Sequence, residues 1–393
     1  MRTAVVSPDR FAAGGEAIAR EADGRVLFVR GALPGETVVA AITTEKRDWA
    51  RGHVVEVTAP SPDRVEPPCP SRRQGCGGCG WQHLRHGAQR EAKRSIVAEA
   101  LRRVGGIVEP LVSLGGSVPG EGYRTTLRVS AGEHGVAGFR AEHSHDVVAA
   151  PACLVAHPVL RDLVARLLLD PGVDVTLRHS VSTGVTGARW DTAKGGVHGL
   201  PDDVVRGGAA VMFEDVAGHR LRVSLGSFFQ SGPAAAELLV ATVTDLAPEL
   251  AEATAVVDAY AGVGMFAACA APPDARIVAI ETSRSAVADA LDNLAGRAAA
   301  VVRGEVGGWH APQDLGADVV VADPARSGLG APGTAALVRV GAPVLVLVSC
   351  DPASLARDAK LLAKAGYGHE RSVVVDTFPH TTHVEAVSRF TRM

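Results

Sequence analysis

Apolar and polar positions change rhythm several times along this chain. Over residues 1–58 they alternate in short runs broken at Ala13-Gly14-Gly15, Asp23-Gly24 and Pro34-Gly35. Period-two alternation between glycine turns predicts a small β-barrel. The proline-rich stretch 61–68 then reads as a linker. From His86 onward apolar residues recur at Ala88, Ala92, Ile96, Ala100, Leu101 and Val104, which predicts a helix with a basic opposite side, stopped by Gly105-Gly106.

Alternation returns over 124–129, 136–140, 208–214 and 220–225, around an expected helix at 157–169, so the middle of the chain reads as an α+β domain. After Gly232, helical stretches alternate with wholly apolar runs at 255–257, 277–280, 319–322 and 344–348. Strands apolar on both faces and separated by helices predict an α/β fold with a doubly wound, mostly parallel, Rossmann-like sheet. The expected division is 1–59 for the barrel, 60–229 for the central domain and 230–393 for the Rossmann-like domain, with the basic helix 86–104 packed on the last.

Composition adds bounds. Of 393 residues, 47% are hydrophobic and 4% aromatic, enough to bury large cores and to exclude a disordered chain. No apolar run approaches the roughly 18 residues of a membrane span, and the first residues lack the apolar stretch of a signal peptide, so a cytoplasmic protein is expected. Net charge is −3, against a simple polycation. Yet between Arg72 and Arg103 stand Arg72, Arg73, Arg85, Arg90, Lys93, Arg94, Arg102 and Arg103, with only Glu91 and Glu99 opposing. That excess could face phosphates or form a solvated helix surface.

Three constellations carry chemistry. In Asp258-Ala259-Tyr260-Ala261-Gly262-Val263-Gly264, a strand ends in an acid and turns through two glycines into a helix. The carboxyl edge of such a sheet is where ligands bind, and Gly262 and Gly264 allow close backbone approach. The next strand ends in Glu281, placed to take both hydroxyls of a ribose. Acids at 258 and 281 suit a cationic nucleoside such as S-adenosylmethionine better than a diphosphate; a nicotinamide cofactor and a structural turn are the alternatives.

Six cysteines occur, and in a cytosolic chain they point to metal binding or catalysis before disulfides. Cys69, Cys76 and Cys79, with the Gly77-Gly78 spacer, lack a fourth ligand that Cys153 can supply; an iron-sulfur cluster, zinc and unrelated buried thiols all remain open. Cys269, flanked by alanines in a helix, reads as a core residue. Cys350 closes the run 344–349 where a helix begins, and the positive end of that helix dipole should favour its thiolate. Asp323 ends another strand and Glu385 lies in a late segment; alone they read as a helix cap and a surface charge, but together with Cys350 they suggest a site.

These motifs, in this order, resemble the RNA uracil-5-methyltransferase family over nearly the whole chain. Gly14 to Ala17, Phe28 to Gly31 and Pro34 to Glu36 look like its TRAM domain, an oligonucleotide-fold barrel that contacts RNA. Cys69, Cys76 to Cys79, Trp81 to His83 and Cys153 are similar to its [4Fe-4S] motif. Asp258 to Phe266, Asp323 to Arg326, Ser349 to Pro352 and Phe378 to Glu385 match its methyltransferase motifs. Three departures are visible: the first cysteine spacing is one residue longer, Gly232 replaces a usual Asn, and Ala325 a usual Pro.

The resemblance implies methylation of uridine C5 in ribosomal or transfer RNA. Cys350 would attack C6, Glu385 would remove the C5 proton, and Asp323 would bond the uracil edge. Gln230, Asp258, Tyr260, Gly262, Gly264, Glu281 and Asp323 would hold S-adenosylmethionine. The target uridine would be flipped from its stack. A monomer without membrane contact is the simplest expectation. A non-catalytic RNA-binding or chaperone protein on the same fold is the alternative, and methylation of a small molecule or protein comes third.

Overall fold

The structure is a computed structural model that describes residues 2–142 and 144–393. Thr3–Val6, Arg10–Phe11, Ala17–Arg20, Val26–Arg30, Thr37–Glu45 and Trp49–Ala59 form one six-stranded sheet. Alternate residues turn inward, so Ala17, Ala19, Leu27, Val29, Val38 and Ala40 bury a small core of their own. Register shifts along the two long strands bend the sheet onto itself.

A second six-stranded sheet holds Thr126–Ala131, Ala137–Arg140, Val147–Ala149, Asp174–His179, Thr186–Trp190 and Val205–Arg206. Leu160, Leu163 and Val164 of the helix Pro158–Val164 pack on it beside Leu127, Val129, Val175 and Leu177. This helix stops short of the expected residue 169, because Leu168–Leu169 pair instead with Val197–His198.

The third sheet has eight strands, in the order Ala299–Arg303, Arg276–Glu281, Ala255–Ala259, Val319–Ala322, Val344–Ser349, Glu385–Arg392, Tyr367–Asp376 and Val112–Ser117. The first five run parallel, and Glu385–Arg392 is antiparallel to both its neighbours. Successive residues serve opposite faces, and both faces are buried. Val256, Val319, Val321, Val346 and Val348 belong to one core, Val257, Val320, Leu345 and Leu347 to the other. That double burial is why these strands are apolar without alternation.

One face is covered by Pro233–Leu246 and Met265–Ala270, the other by Gly330–Val340, Pro352–Lys364 and the early helix His86–Arg103. Val97 and Leu101 of that early helix are fully buried in the second core, stabilising it by about 2 kcal/mol each. Val112–Ser117 also joins the sheet, parallel to Tyr367–Asp376. Residues 86–117 therefore build the large sheet although they precede the second one in sequence.

Candidate active site

Parallel strands bring their carboxyl ends to one edge, and this chain uses that edge for its acids and one thiol. Asp258 is the penultimate residue of Ala255–Ala259, Asp323 follows Val319–Ala322, and Cys350 follows Val344–Ser349. Glu385 reaches the same edge from the other direction. It is the first residue of an antiparallel strand whose next residue, Ala386, pairs with Ser349. At 5% exposure Glu385 is buried, so its reading as a surface charge fails. Asp323 is likewise no helix cap: its Oδ2 accepts from Gln230 Nε2 at 3.3 Å.

Acids crowded out of water resist ionisation. Burial pushes Asp258 up to about 7, with Asp323 and Glu281 adding to the shift. Asp323 is pushed up to about 7 by burial against the Gln230 hydrogen bond. Glu385 rises well above the usual carboxylate range through burial first and Asp323 second, while Lys93 pulls it down. Asp258 Oδ2 accepts from Ala267 N at 2.9 Å, but its buried Oδ1 has no partner. Such a set is short of positive charge.

Cys350 corrects a sequence-based expectation. Its thiol is pushed up to about 11, by burial first and then by Glu385 and Asp323, with Arg326 opposing. The helix that follows is well formed, with Asp351 Oδ1 accepting from Ser354 N at 2.7 Å and Pro352 in the first turn. Its dipole, worth about 1 kcal/mol at most exposed sites, loses to desolvation and two acids. The same helix pins the Asp323 loop, since Asp358 accepts from Leu329 N at 2.7 Å and Gly330 N at 3.1 Å.

The glycine loop divides its labour. Gly262 has φ of 56° and open space where a Cβ would stand. Gly264, at φ of 81°, would place a Cβ 3.3 Å from Ala290, so it serves close packing on the helix Arg284–Asn293. Tyr260 is itself left-handed, at φ of 61°, and its hydroxyl abuts Gly333 of the neighbouring helix. Glu281 Oε2 accepts from Gly262 N at 2.9 Å, and its Oε1 from Ser283 N at 2.6 Å and Thr282 Oγ1 at 3.2 Å. Gly232 answers one departure: a Cβ there would lie 2.6 Å from Tyr123 O, so no Asn fits.

The other thiols assemble elsewhere. Cys69, Cys76, Cys79 and Cys153 line one cavity of about 60 Å³, together with Gln82 and Arg124. Gly77 makes this possible, because its N donates to Arg140 O at 3.0 Å and a Cβ would meet the backbone of Glu142 at 3.0 Å. Gln82 is 2% exposed; its Oε1 accepts from Cys69 N at 3.1 Å while its Nε2 has no partner. Among the described residues, no group of three or more His, Cys, Asp or Glu is drawn together closely enough to hold a metal ion. Cys269 stands apart in the core, its Sγ 3.6 Å from Val216 O.

The basic cluster is not a free cationic face. Arg72 pairs with Glu142, Arg73 with Glu66, Arg85 with Asp63, Arg94 with Glu91, and both Arg102 and Arg103 with Glu99. Arg90 donates to Gly115 O, and Lys93 turns inward to Asp376 at 2.7 Å. A groove of about 540 Å³ opens instead between the barrel and the segment before Glu385, lined by Arg30, Arg51, Trp81, His83 and Thr382. Arg51 lies over Phe28 at 5.6 Å and Trp49 at 5.3 Å.

Residues 7–55 match the TRAM domain. An RNA methyltransferase of Streptomyces avermitilis with no characterised substrate is 35% identical over 95% of this chain and 95% of its own. The 23S rRNA (uracil(1939)-C(5))-methyltransferase RlmD of Halomonas elongata is 35% identical over 95% of this chain and 86% of its own. The chain belongs to the RNA uracil-5-methyltransferase family. The Pyrococcus abyssi tRNA (uracil-54, C5)-methyltransferase, solved with S-adenosyl-L-homocysteine, superposes with a TM-score of 0.75 over 98% of this chain and 99% of its own. At 23% identity that likeness shows a shared fold.

For a member of this family, sequence reasoning missed the polar groups that position the site. Asp289 is fully buried and accepts from Ser224 N at 2.8 Å and Ser227 Oγ at 2.5 Å, fixing the approach to Gln230. Gln89 and Lys93 point inward from the helix His86–Arg103. Their spacing of four residues, in phase with Val97 and Leu101, was the available signal. No helix among the described residues is long and apolar enough to cross a membrane.

Proposed function

We propose that this protein methylates C5 of a uridine in structured RNA, using S-adenosylmethionine and a covalent bond between Cys350 and uracil C6. The observation that carries the proposal is the meeting of Cys350, Glu385 and Asp323 at one sheet edge beside the Asp258 loop. Its named relatives favour 23S rRNA as the substrate class.

Asp258, Glu281, Gly262 and Gln230 would hold the cofactor, with Tyr260 and Gly264 shaping its loop. When bound, it supplies an electrophilic methyl group and a positive sulfonium charge. The unpartnered Oδ1 of Asp258 and the acids around it fit that charge.

Uracil C5 is a weak nucleophile until C6 is attacked. The Cys350 thiol loses its proton to water, its sulfur bonds to C6, and the electron pair of the C5–C6 double bond moves onto C5 and O4. C5 would then bond the methyl carbon as the carbon–sulfonium bond breaks and neutral S-adenosylhomocysteine leaves, so that C5 carries both its proton and the new methyl group. Glu385 takes that proton, the C5–C6 double bond returns, and the C6–S bond breaks to release the Cys350 thiolate. Asp323, raised towards neutrality, can donate to the uracil edge, oriented by Gln230. The groove lined by Arg30, Arg51 and Trp81 offers guanidinium and aromatic groups to flanking nucleotides of a flipped base, with Arg51 exchanging Glu16 for a phosphate.

Cys69, Cys76, Cys79 and Cys153, which line one cavity without closing on a single ion, would hold a [4Fe-4S] cluster, a group that spreads its thiolates wider than one ion does. Four thiolates around a cluster carry net negative charge, and the unpartnered Gln82 amide with the Arg124 guanidinium suits it. When bound, the cluster would tie the Cys69–Cys79 segment to Cys153. Iron and sulfide assays after anaerobic purification separate it from zinc. A monomer acting in the cytoplasm accords with this reading.

The decisive experiment maps C5-methyluridine across rRNA and tRNA in cells with and without the gene. One uridine in 23S rRNA should lose its methyl group. Unchanged methylation at every position rejects the proposal.

A further inference from the structure

A lysine with no role in the steps above lies wholly buried beneath the segment that leads to Glu385. We propose that Lys93 is a positioning residue for product release, holding with Asp376 the segment 377–384 that delivers Glu385 to the sheet edge. This rests on the reading of Glu385 as the base.

Lys93 is 0% exposed, and its Nζ donates to Asp376 Oδ1 at 2.7 Å and to Phe378 O at 2.9 Å. Asp376 ends one strand and Glu385 begins the next, so Lys93 grips the start of the connection between them. His86 Nε2 meets the other Asp376 oxygen at 2.9 Å. One turn earlier on the same helix, Gln89 Oε1 accepts from His380 N at 2.8 Å. Its Nε2 donates to Leu84 O at 2.7 Å and Trp81 O at 3.1 Å. Trp81 N closes the loop by donating to His380 O at 2.9 Å. His380 itself is held at φ of 66°, a conformation that a non-glycine residue keeps only when its surroundings impose it.

Burial disfavours the Lys93 ammonium, and the acids that oppose this are Asp376 first and Glu385 after it. Asp323 and Cys350 face Glu385 from the neighbouring strand ends, and Lys93 is the cation whose field favours its ionised form. Around Lys93 stand Asp376, His86, His380 and His383. Only an ionised Glu385 can take the C5 proton. Lys93 therefore acts twice, through the placement of the segment and through its charge.

The test uses the full-length enzyme and an unmodified 23S rRNA fragment in single turnover, scoring free product and denaturation-resistant protein–RNA adduct separately. Lys93→Met should slow release by about 10- to 100-fold while adduct forms within twofold of the wild-type rate, so methylated adduct accumulates. The pH profile of release should move to higher pH, because losing the cation raises the Glu385 pKa. Asp376→Asn keeps an acceptor but removes a negative charge, and should move that profile to lower pH. Gln89→Leu loosens the segment without touching the charge, and should slow release with the profile unmoved. Equal loss in adduct formation and release, or Lys93→Met and Asp376→Asn profiles that coincide with wild type, overturns the proposal. If Lys93→Met does not fold, the direction of the Asp376→Asn shift decides. Absence of any adduct with the wild-type enzyme instead rejects the reading on which the proposal stands.

Discussion

Cys350 and Cys79 share a difficulty and differ in their company. Burial pushes the Cys350 thiol up to about 11 and the Cys79 thiol up to about 12, so desolvation treats them alike. Cys350 faces two acids, Glu385 and Asp323, with the charge of Arg326 opposing them. Cys79 faces Arg124 and the thiols of Cys153, Cys76 and Cys69. Acids beside one sulfur suit proton traffic during a transient bond; a cation and further sulfurs suit lasting ligation. Neighbours, more than burial, distinguish the surroundings of Cys350 from those of Cys79.

The comparison breaks if the two sites respond alike to substitution. The largest effect should be Cys350→Ala, which removes turnover and adduct below detection on a gel of enzyme with 5-fluorouridine RNA while bound iron stays unchanged. Next, Glu385→Gln should slow product release by about 10²- to 10⁴-fold and accumulate methylated adduct, measured by single-turnover quench. Cys79→Ser should do the converse, losing most of the iron and lowering the unfolding midpoint while residual protein still forms adduct.

A smaller effect concerns the cofactor edge. Asp258 is raised to about 7, and a bound cation favours its ionised form, so affinity for S-adenosylmethionine should rise by up to about tenfold between pH 6 and pH 8. Affinity for S-adenosylhomocysteine, which lacks the sulfonium charge, should rise less; calorimetry at both pH values measures the gap. The smallest change should follow Gln82→Leu, which leaves the cavity walls in place but removes the unpartnered amide. Iron should then be lost severalfold faster to a chelator, with methylation unchanged.

Much of this site was legible because local patterns point at it. The glycine loop, Glu281, Asp323 and Cys350 each follow an apolar run, and a parallel sheet must bring such positions to one edge. That Cys69, Cys76 and Cys79 gather was legible through their spacing, and Gly77 explains how the chain turns tightly enough there, whereas Cys153 joins their cavity from a distant segment. Glu385 was harder. Its place depends on an antiparallel strand inserted between Val344–Ser349 and Tyr367–Asp376, an order that no local pattern encodes.

The helix His86–Arg103 shows how little sequence reading could decide between a phosphate-facing and a solvated surface. Counting charges left both open; each arginine found an acid or a carbonyl, as on a solvated surface, and Lys93 was drawn inside. Charge count gives no direction. Only the packed neighbour decides whether a cation meets solvent, an anion or a buried strand.

What the sequence by itself determined is the set of elements and the chemistry stationed at their ends, because period, glycine turns and cysteine spacing act over a few residues at a time. Tertiary structure alone decided which ends meet: it laid the helix His86–Arg103 on the large sheet, threaded Val112–Ser117 into it and set Glu385 beside Cys350. It also turned Gln89 and Lys93 beneath the segment between two strands. Such meetings depend on strand order and on burial against distant partners, and those are properties of the packed chain as a whole.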